Sequence, residues 1–286
     1  MPLPPRGAAC QKNTKPGKQA SVTKARTWAI GIAGWAIGLM PALALGAPVR
    51  PSLPLPAAIA AIGVPGADGR LFGHLPYDEA LPVEMVVVAP GFGIGVPCRM
   101  QRDAAADLAR LLDGAKSVPG IGARLKGISC YRTVARQLAV FCHPGRRGNA
   151  CRDAVERARS VGPPGFSEHA TGYAIDFGVR PNGACRDVDA CIAETAAGRW
   201  LLEHAPDYGF ELSFPEGNAQ GVTWEPWHWR WVGTSIDEPG AARARLVFAR
   251  ARAQFPASPI IDGEPGQAVH GFTAMSPAFV LLPGRR

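Results

Sequence analysis

Two stretches carry the chemistry of this chain: Ser167-Glu168-His169-Ala170-Thr171-Gly172-Tyr173-Ala174-Ile175-Asp176, and Glu225-Pro226-Trp227-His228-Trp229-Arg230-Trp231. Side chains alternate between the two faces of a strand. Over Gly172–Val179 that period puts Tyr173, Ile175 and Phe177 on one face and Asp176 on the other. In the second stretch Trp227, Trp229 and Trp231 share a face, and His228 and Arg230 share the opposite one. Pro226 biases Glu225 toward extended backbone, so Glu225 and His228 are not expected to share a helical turn. Gly172 allows an unusual turn or a close backbone approach.

Both stretches set His, Asp and Glu among aromatic and small residues. A hydrolytic zinc ion needs three protein ligands and one open position for water. His169, Asp176 and His228 supply two imidazoles and one carboxylate. Glu225 is placed to act as a base beside such an ion. Each residue has a plainer reading when taken alone, as a core histidine, a turn aspartate or a packed tryptophan. His74, His143, His204 and His270 lack comparable surroundings and read as structural or exposed.

Outward from these stretches, Val83–Ala89 is apolar and β-branched and predicts a strand. Gln101–Leu112 carries apolar residues at helical spacing. Thr133–Phe141, Arg152–Ser160 and Ala241–Gln254 read as further helices, and Gly209–Phe214 and His228–Gly233 as strands. The expected fold is α+β, a small antiparallel sheet bearing the metal site and flanked by helices, over residues 81–255. Residues 47–80 form a Pro/Ala/Gly-rich lead-in and 256–286 an irregular tail. Gly91-Phe92-Gly93-Ile94-Gly95 imitates a dinucleotide fingerprint. Its third glycine is misplaced and Pro97 follows, so it reads as a turn.

The chain has 286 residues, 47% hydrophobic and 19% charged, which excludes wholesale disorder. Its net charge of +8 is unevenly spread. Residues 1–46 hold Arg6, Lys12, Lys15, Lys18, Lys24 and Arg26 and no acid. The remainder is nearly balanced and has no compact basic patch, which argues against nucleic-acid binding. A polar basic segment (1–26), an apolar run (28–45) and small residues at 42–47 have the order of a secretory signal peptide, spanning 1–46. An uncleaved inner-membrane anchor through 28–45 is the alternative. Both readings export the chain to the periplasm or cell envelope. Cys10 lies in the leader. Cys98, Cys130, Cys142, Cys151, Cys185 and Cys191 remain, an even number that suggests three disulfides. Short loops favour Cys142–Cys151 and Cys185–Cys191, leaving Cys98–Cys130. Metal binding by these cysteines is the competing reading, and no Cys-x-x-Cys pair supports it.

The motif Ser-x-His-x-x-Gly-x-Ala-x-Asp (167–176), followed by Glu-Pro-Trp-His-x-x-Trp (225–231), resembles the VanY-like D-alanyl-D-alanine carboxypeptidases, zinc peptidases of bacterial cell-wall metabolism. Ser129-Cys130-Tyr131-Arg132-Thr133 with Gln137 resembles the family's Ser-Gly-Tyr-Arg-Ser…Gln segment, with cysteine in place of glycine. Tyr208–Pro215 resembles the segment before its last motif. The resemblance covers about 100–235. It implies one zinc ion held by His169, Asp176 and His228, and Glu225 as catalytic base. It implies that Arg132 contacts the scissile carbonyl or a substrate carboxylate. Tyr131, Gln137, Ser167 and Trp227 would line the substrate cleft, and the tryptophans of 224–231 would wall it. The implied activity is removal of the C-terminal D-Ala from peptidoglycan stem peptides. The insertion 142–151 and the Cys185–Cys191 loop leave L,D-carboxypeptidase or endopeptidase specificity as alternatives. A zinc-stabilised wall-binding module and a disulfide-rich structural protein are the non-enzymatic ones.

Overall fold

The computed structural model describes residues 55–261, apart from 143, 146, 147, 150 and 152. The leader and its apolar run, His143 and His270 lie outside the described residues, as does the tail beyond 261.

Helix α1 (Leu55–Ala60) precedes an antiparallel ribbon of β1 (Met85–Val87) and β2 (Arg99–Gln101). Helix α2 (Arg102–Lys116) follows β2 directly. Next come β3 (Leu125–Ser129), α3 (Val134–Phe141), the two-residue strands β4 (Pro144–Gly145) and β5 (Gly148–Asn149), and α4 (Ala154–Ala158). Strand β6 (Ala174–Val179), α5 (Ala196–His204), β7 (Phe210–Leu212), β8 (His228–Trp231), α6 (Ala241–Val247) and α7 (Ala249–Gln254) complete the order. The main sheet runs β3-β6-β8-β7, with every neighbouring pair antiparallel.

Local chemistry explains several of these elements. Thr133 caps α3, its side-chain oxygen accepting from the Arg136 amide at 3.1 Å. Thr195 caps α5 in the same way. Helix α2 buries Ala104, Leu108, Leu111 and Ala115 on one face. That face packs in the main core with Ile175 and Phe177 of β6 and with Trp229 and Trp231 of β8. Burying each such large apolar side chain contributes about 2 kcal/mol. Asp107 of α2 accepts from the Trp231 indole N–H at 2.8 Å, so the buried indole is not left unpaired.

The expected alternation holds: Tyr173, Ile175, Phe177, Trp227, Trp229 and Trp231 all lie in this core. The disulfides are Cys98–Cys130, Cys142–Cys151 and Cys185–Cys191. Segment 91–95 is a turn, with Gly91 and Gly95 at positive φ.

Other elements differ from expectation. Strand β3 and helix α5 are additional. Lys126 and Gly127 break the apolar pattern of β3, which pairs with β6 through a bulge between Gly127 and Ser129. Residues 241–254 form two helices rather than one, because the chain turns at Phe248 to bury that ring. Phe248 packs edge-on against Tyr77 and Tyr173. Within the lead-in, Leu71, His74 and Leu75 are buried. His74 Nε2 bonds the Ala158 carbonyl at 2.6 Å. Composition alone suggested looser packing there.

Candidate metal centre

Strand register builds the first half of the site. Asp176 of β6 stands directly opposite His228 of β8, and directly opposed residues present their side chains on one face. A single turn of 3₁₀ helix, Glu168–Thr171, brings His169 to the same point. Gly172 ends that turn at φ +75. That left-handed backbone favours glycine, and a Cβ there would also press on the Met85 side chain.

Asp176 Oδ1 lies 2.8 Å from His228 Nδ1, and Oδ2 lies 3.1 Å from His169 Nε2. One ligand atom from each of the three residues falls within 4.8 Å of the others, and all three residues are buried. The second nitrogen of each ring is already engaged. His169 Nδ1–H donates to the Cys130 carbonyl at 2.8 Å. His228 Nε2–H donates to Glu168 Oε2 at 3.0 Å. Each imidazole is thus oriented from behind and turns its free nitrogen to a common point, as metal-binding histidines do. Two imidazole nitrogens and one carboxylate, converging with room for a fourth ligand, fit a single zinc ion.

The electrostatics of the two rings diverge. Burial, with the Arg132 charge, pushes His169 down to about 4 and keeps it neutral. Burial opposes charge on His228 as well, but its hydrogen bonds to Asp176 and Glu168 outweigh that and raise it to about 10. Burial would raise Asp176, yet the two imidazoles hold it well below the usual carboxylate range.

Glu168 gathers the contacts behind His228. Its Oε1 accepts from Arg230 Nη1 at 3.0 Å and from the Tyr77 hydroxyl at 3.2 Å. Its Oε2 accepts from the Ser213 hydroxyl at 2.6 Å as well as from His228. Burial opposes its charge, but Arg230 and His228 prevail and bring it down to about 2. Arg230 in turn donates through Nε to Glu211 Oε1 at 2.8 Å.

A cavity of about 330 Å³ opens beside the triad. His169, Asp176, His228, Glu225, Arg132, Ser167 and Trp227 all line it. Burial pushes the Glu225 carboxyl up to about 8, against the pull of the His228 charge. Arg132 is partly buried, and its Nε makes no hydrogen bond among the described residues. Tyr131 and Gln137 are not part of the lining. The Tyr131 hydroxyl donates to the Ala80 carbonyl at 2.8 Å, and Gln137 Nε2 donates to the Gly162 carbonyl at 2.6 Å, bracing the wall from behind. The expected tryptophan wall reduces to Trp227. Trp229 and Trp231 are committed to the core, and Trp224 lies in a different surface hollow.

Against known proteins, a family model for D-alanyl-D-alanine carboxypeptidase (VanY) matches residues 97–234, a span that holds all of these cavity residues. This chain thus resembles the VanY family over just under half of its length. Within the family's reach, it is 36% identical over 138 residues to the carboxypeptidase-like protein YodJ of Bacillus subtilis (strain 168), covering 47% of this chain and 46% of that one. It is 36% identical over 75 residues to VanXYC of Enterococcus gallinarum, a bifunctional D-Ala-D-Ala dipeptidase and D-Ala-D-Ala carboxypeptidase. That match covers 26% of this chain and 40% of that one. The matched region therefore spans less than half the length of these curated relatives. Among solved structures, the LD-carboxypeptidase LdcB is similar at 27% identity and TM-score 0.48, over 62% of this chain and 81% of that one.

Sequence reasoning assigned no role to Glu168, although it sits inside the first VanY motif. The available signal was that His228 and Arg230 share a strand face: a buried arginine beside a histidine ligand demands a carboxylate partner. Ser213 and Tyr77 gave no comparable signal.

Proposed function

We propose that this chain is a zinc-dependent carboxypeptidase that removes the C-terminal D-Ala of peptidoglycan stem peptides. One observation carries the reading: His169, Asp176 and His228 converge at a cavity that also holds Glu225 and Arg132. The VanY family model that residues 97–234 match supports the substrate class. A pure binding module has no need of a buried carboxylate poised beside the metal ligands.

Zinc, when bound, supplies Lewis-acid chemistry, making water nucleophilic near neutral pH and polarising the substrate carbonyl. His169 and His228 would hold it through Nε2 and Nδ1, with Asp176 as the third ligand. Glu225 accepts the proton of the attacking water and passes it to the departing D-Ala amine. Its surroundings raise its basicity above that of an ordinary carboxylate. The Arg132 guanidinium faces the charge that develops on the carbonyl oxygen. Ser167 and Trp227 flank the peptide. Three disulfides suit an oxidising compartment outside the cytoplasm, in keeping with a cell-wall substrate. No helix among the described residues is long and apolar enough to cross a membrane.

The test is incubation of the zinc-loaded protein with defined stem pentapeptide and tetrapeptide, read by mass spectrometry beside Glu225→Ala. Loss of one D-Ala from the pentapeptide is expected, with the rate at least about 10³-fold lower in the variant, from loss of acid–base catalysis. Cleavage of the tetrapeptide alone would replace this assignment with L,D specificity. Cleavage of neither by zinc-replete protein would overturn it.

A further inference from the structure

The cavity contains a second guanidinium, Arg157 of α4. Its Nη2 donates to the Val140 carbonyl at 3.1 Å, near the end of α3. Its Nε is buried and makes no hydrogen bond among the described residues. Several described arginines are matched by acids: Arg230 meets Glu168 and Glu211, Arg110 meets Asp107, and Arg180 meets Asp187. Arg157 is different. Burial alone perturbs it, and no carboxylate among the described residues offsets that penalty.

Arg132 shares the cavity but sits in another field. It feels the charges of Asp176 and Glu225, which places it on the metal side. Arg157 feels neither, yet is close enough to Arg132 to repel it. A partly buried guanidinium facing a cavity with no carboxylate to offset it, as at Arg157, is costly unless an anion enters. A planar carboxylate is the group its fork matches best. The position of Arg157 is also fixed. The Cys142–Cys151 disulfide joins the end of α3 to the approach to α4, and the Arg157–Val140 hydrogen bond ties the same two helices.

We infer that Arg157 is the carboxylate-reading residue of the cavity, holding the free C-terminal carboxylate of the bound peptide and leaving Arg132 to the scissile carbonyl. This rests on the carboxypeptidase reading and divides between two arginines a task that the sequence left to one. It makes the preference for a chain end a property of α4, outside the four motifs.

The inference is tested by binding rather than by turnover. The full chain carrying Glu225→Gln, zinc-loaded, is titrated with diacetyl-Lys-D-Ala-D-Ala and with its C-terminal amide. The same titrations are run after adding Arg157→Gln or Arg157→Lys, with zinc content and thermal stability checked in each. The arginine Nε–H resonance that disappears in Arg157→Gln is followed by NMR while N-acetyl-D-alanine, a minimal carboxylate probe, is added. The acid should bind at least tenfold more tightly than the amide. Arg157→Gln should abolish that difference by weakening the acid about 10–100-fold while changing the amide less than about twofold, in line with loss of a charge-assisted bidentate contact. Arg157→Lys should recover only part of it. N-acetyl-D-alanine should shift the Arg157 resonance. Equal weakening of acid and amide would make Arg157 a wall residue and overturn the inference. Equal binding of acid and amide by the parent would overturn it too, as would an unmoved Arg157 resonance. Failure of the carboxypeptidase reading shows separately, as absence of cleavage by the zinc-loaded wild-type chain, and the NMR titration still decides the role of Arg157.

Discussion

The two histidines of the metal centre are held by opposite means. His169 leans on main chain: its Nδ1–H meets the carbonyl of Cys130, a residue pinned by the disulfide to Cys98. The Arg132 amide adds a bond to the His169 carbonyl at 3.1 Å. His228 leans on a buried ionic network, in which Glu168 is shared with Arg230, Ser213 and Tyr77. The first arrangement is neutral and covalently braced. The second is charged and owes its strength to low dielectric. A main-chain support tolerates side-chain change, whereas an ionic network fails when one member is lost, because the others are left as unpaired buried charge.

The sharpest way to break this comparison is at Glu168. Glu168→Ala leaves Arg230 with Glu211 alone and His228 with Asp176 alone, and should destabilise the protein by about 3 kcal/mol in chemical denaturation. Glu168→Gln keeps the shape and should weaken zinc about 10–100-fold, read by competition with a chromogenic chelator. A smaller zinc effect than tenfold would remove Glu168 from the support of His228.

The pH dependence of the metal-free protein separates the two rings. His169, lowered from 6.5 to about 4, contributes stability that is present above pH 6.5 and lost as pH falls toward 4. His228, raised from 6.5 to about 10, contributes stability that is present below 6.5 and lost as pH rises toward 10. Glu225, raised from 4.5 to about 8, adds a loss between those values as pH rises. Glu168, lowered from 4.5 to about 2, adds a loss as pH falls through that range. From 4.5 to 6.5 the His169 and Glu225 slopes oppose each other. Stability of the chelator-treated protein should therefore plateau there and fall on both sides. Zinc takes the place of the His228 proton, so its binding should release protons and flatten the alkaline limb. An alkaline limb unchanged in Glu168→Gln would contradict the assignment.

Opening Cys98–Cys130, which spans 32 residues, should cost about 3–4 kcal/mol by the chain-entropy model. It should weaken zinc less than Glu168→Gln does, because Cys130 still presents its carbonyl from the end of β3. Opening Cys185–Cys191, which spans only 6 residues, should cost about 2 kcal/mol and leave zinc affinity unchanged. Paired Cys→Ala variants compared by denaturation and zinc competition check both.

The candidate metal ligands were legible because each is a rare polar residue set in a periodic apolar frame. Asp176 and His228 lie on the polar faces of strands whose other faces are Tyr173, Ile175, Phe177 and Trp227, Trp229, Trp231. The disulfides were legible from loop length. Strand β3 was not, since Lys126 and Gly127 hide its pattern, and its pairing is decided by β6. Helix α5 is short and interrupted by Gly198. The turn at Phe248 follows from a pocket made by Tyr77 and Tyr173, which no local window contains.

What the sequence by itself determined is the inventory: which side chains could hold a metal, which strands carry them and which family they resemble. Those facts are local, written in alternation, spacing and residue chemistry. Only the tertiary structure decided how the inventory is supported. It set Cys130 behind His169 and Glu168 behind His228, turned Tyr131 and Gln137 away from the cavity, and brought Arg157 into it. Those relations join residues tens of positions apart through register and burial. Their energies depend on which charges are buried together, and that is a property of the folded arrangement rather than of any segment.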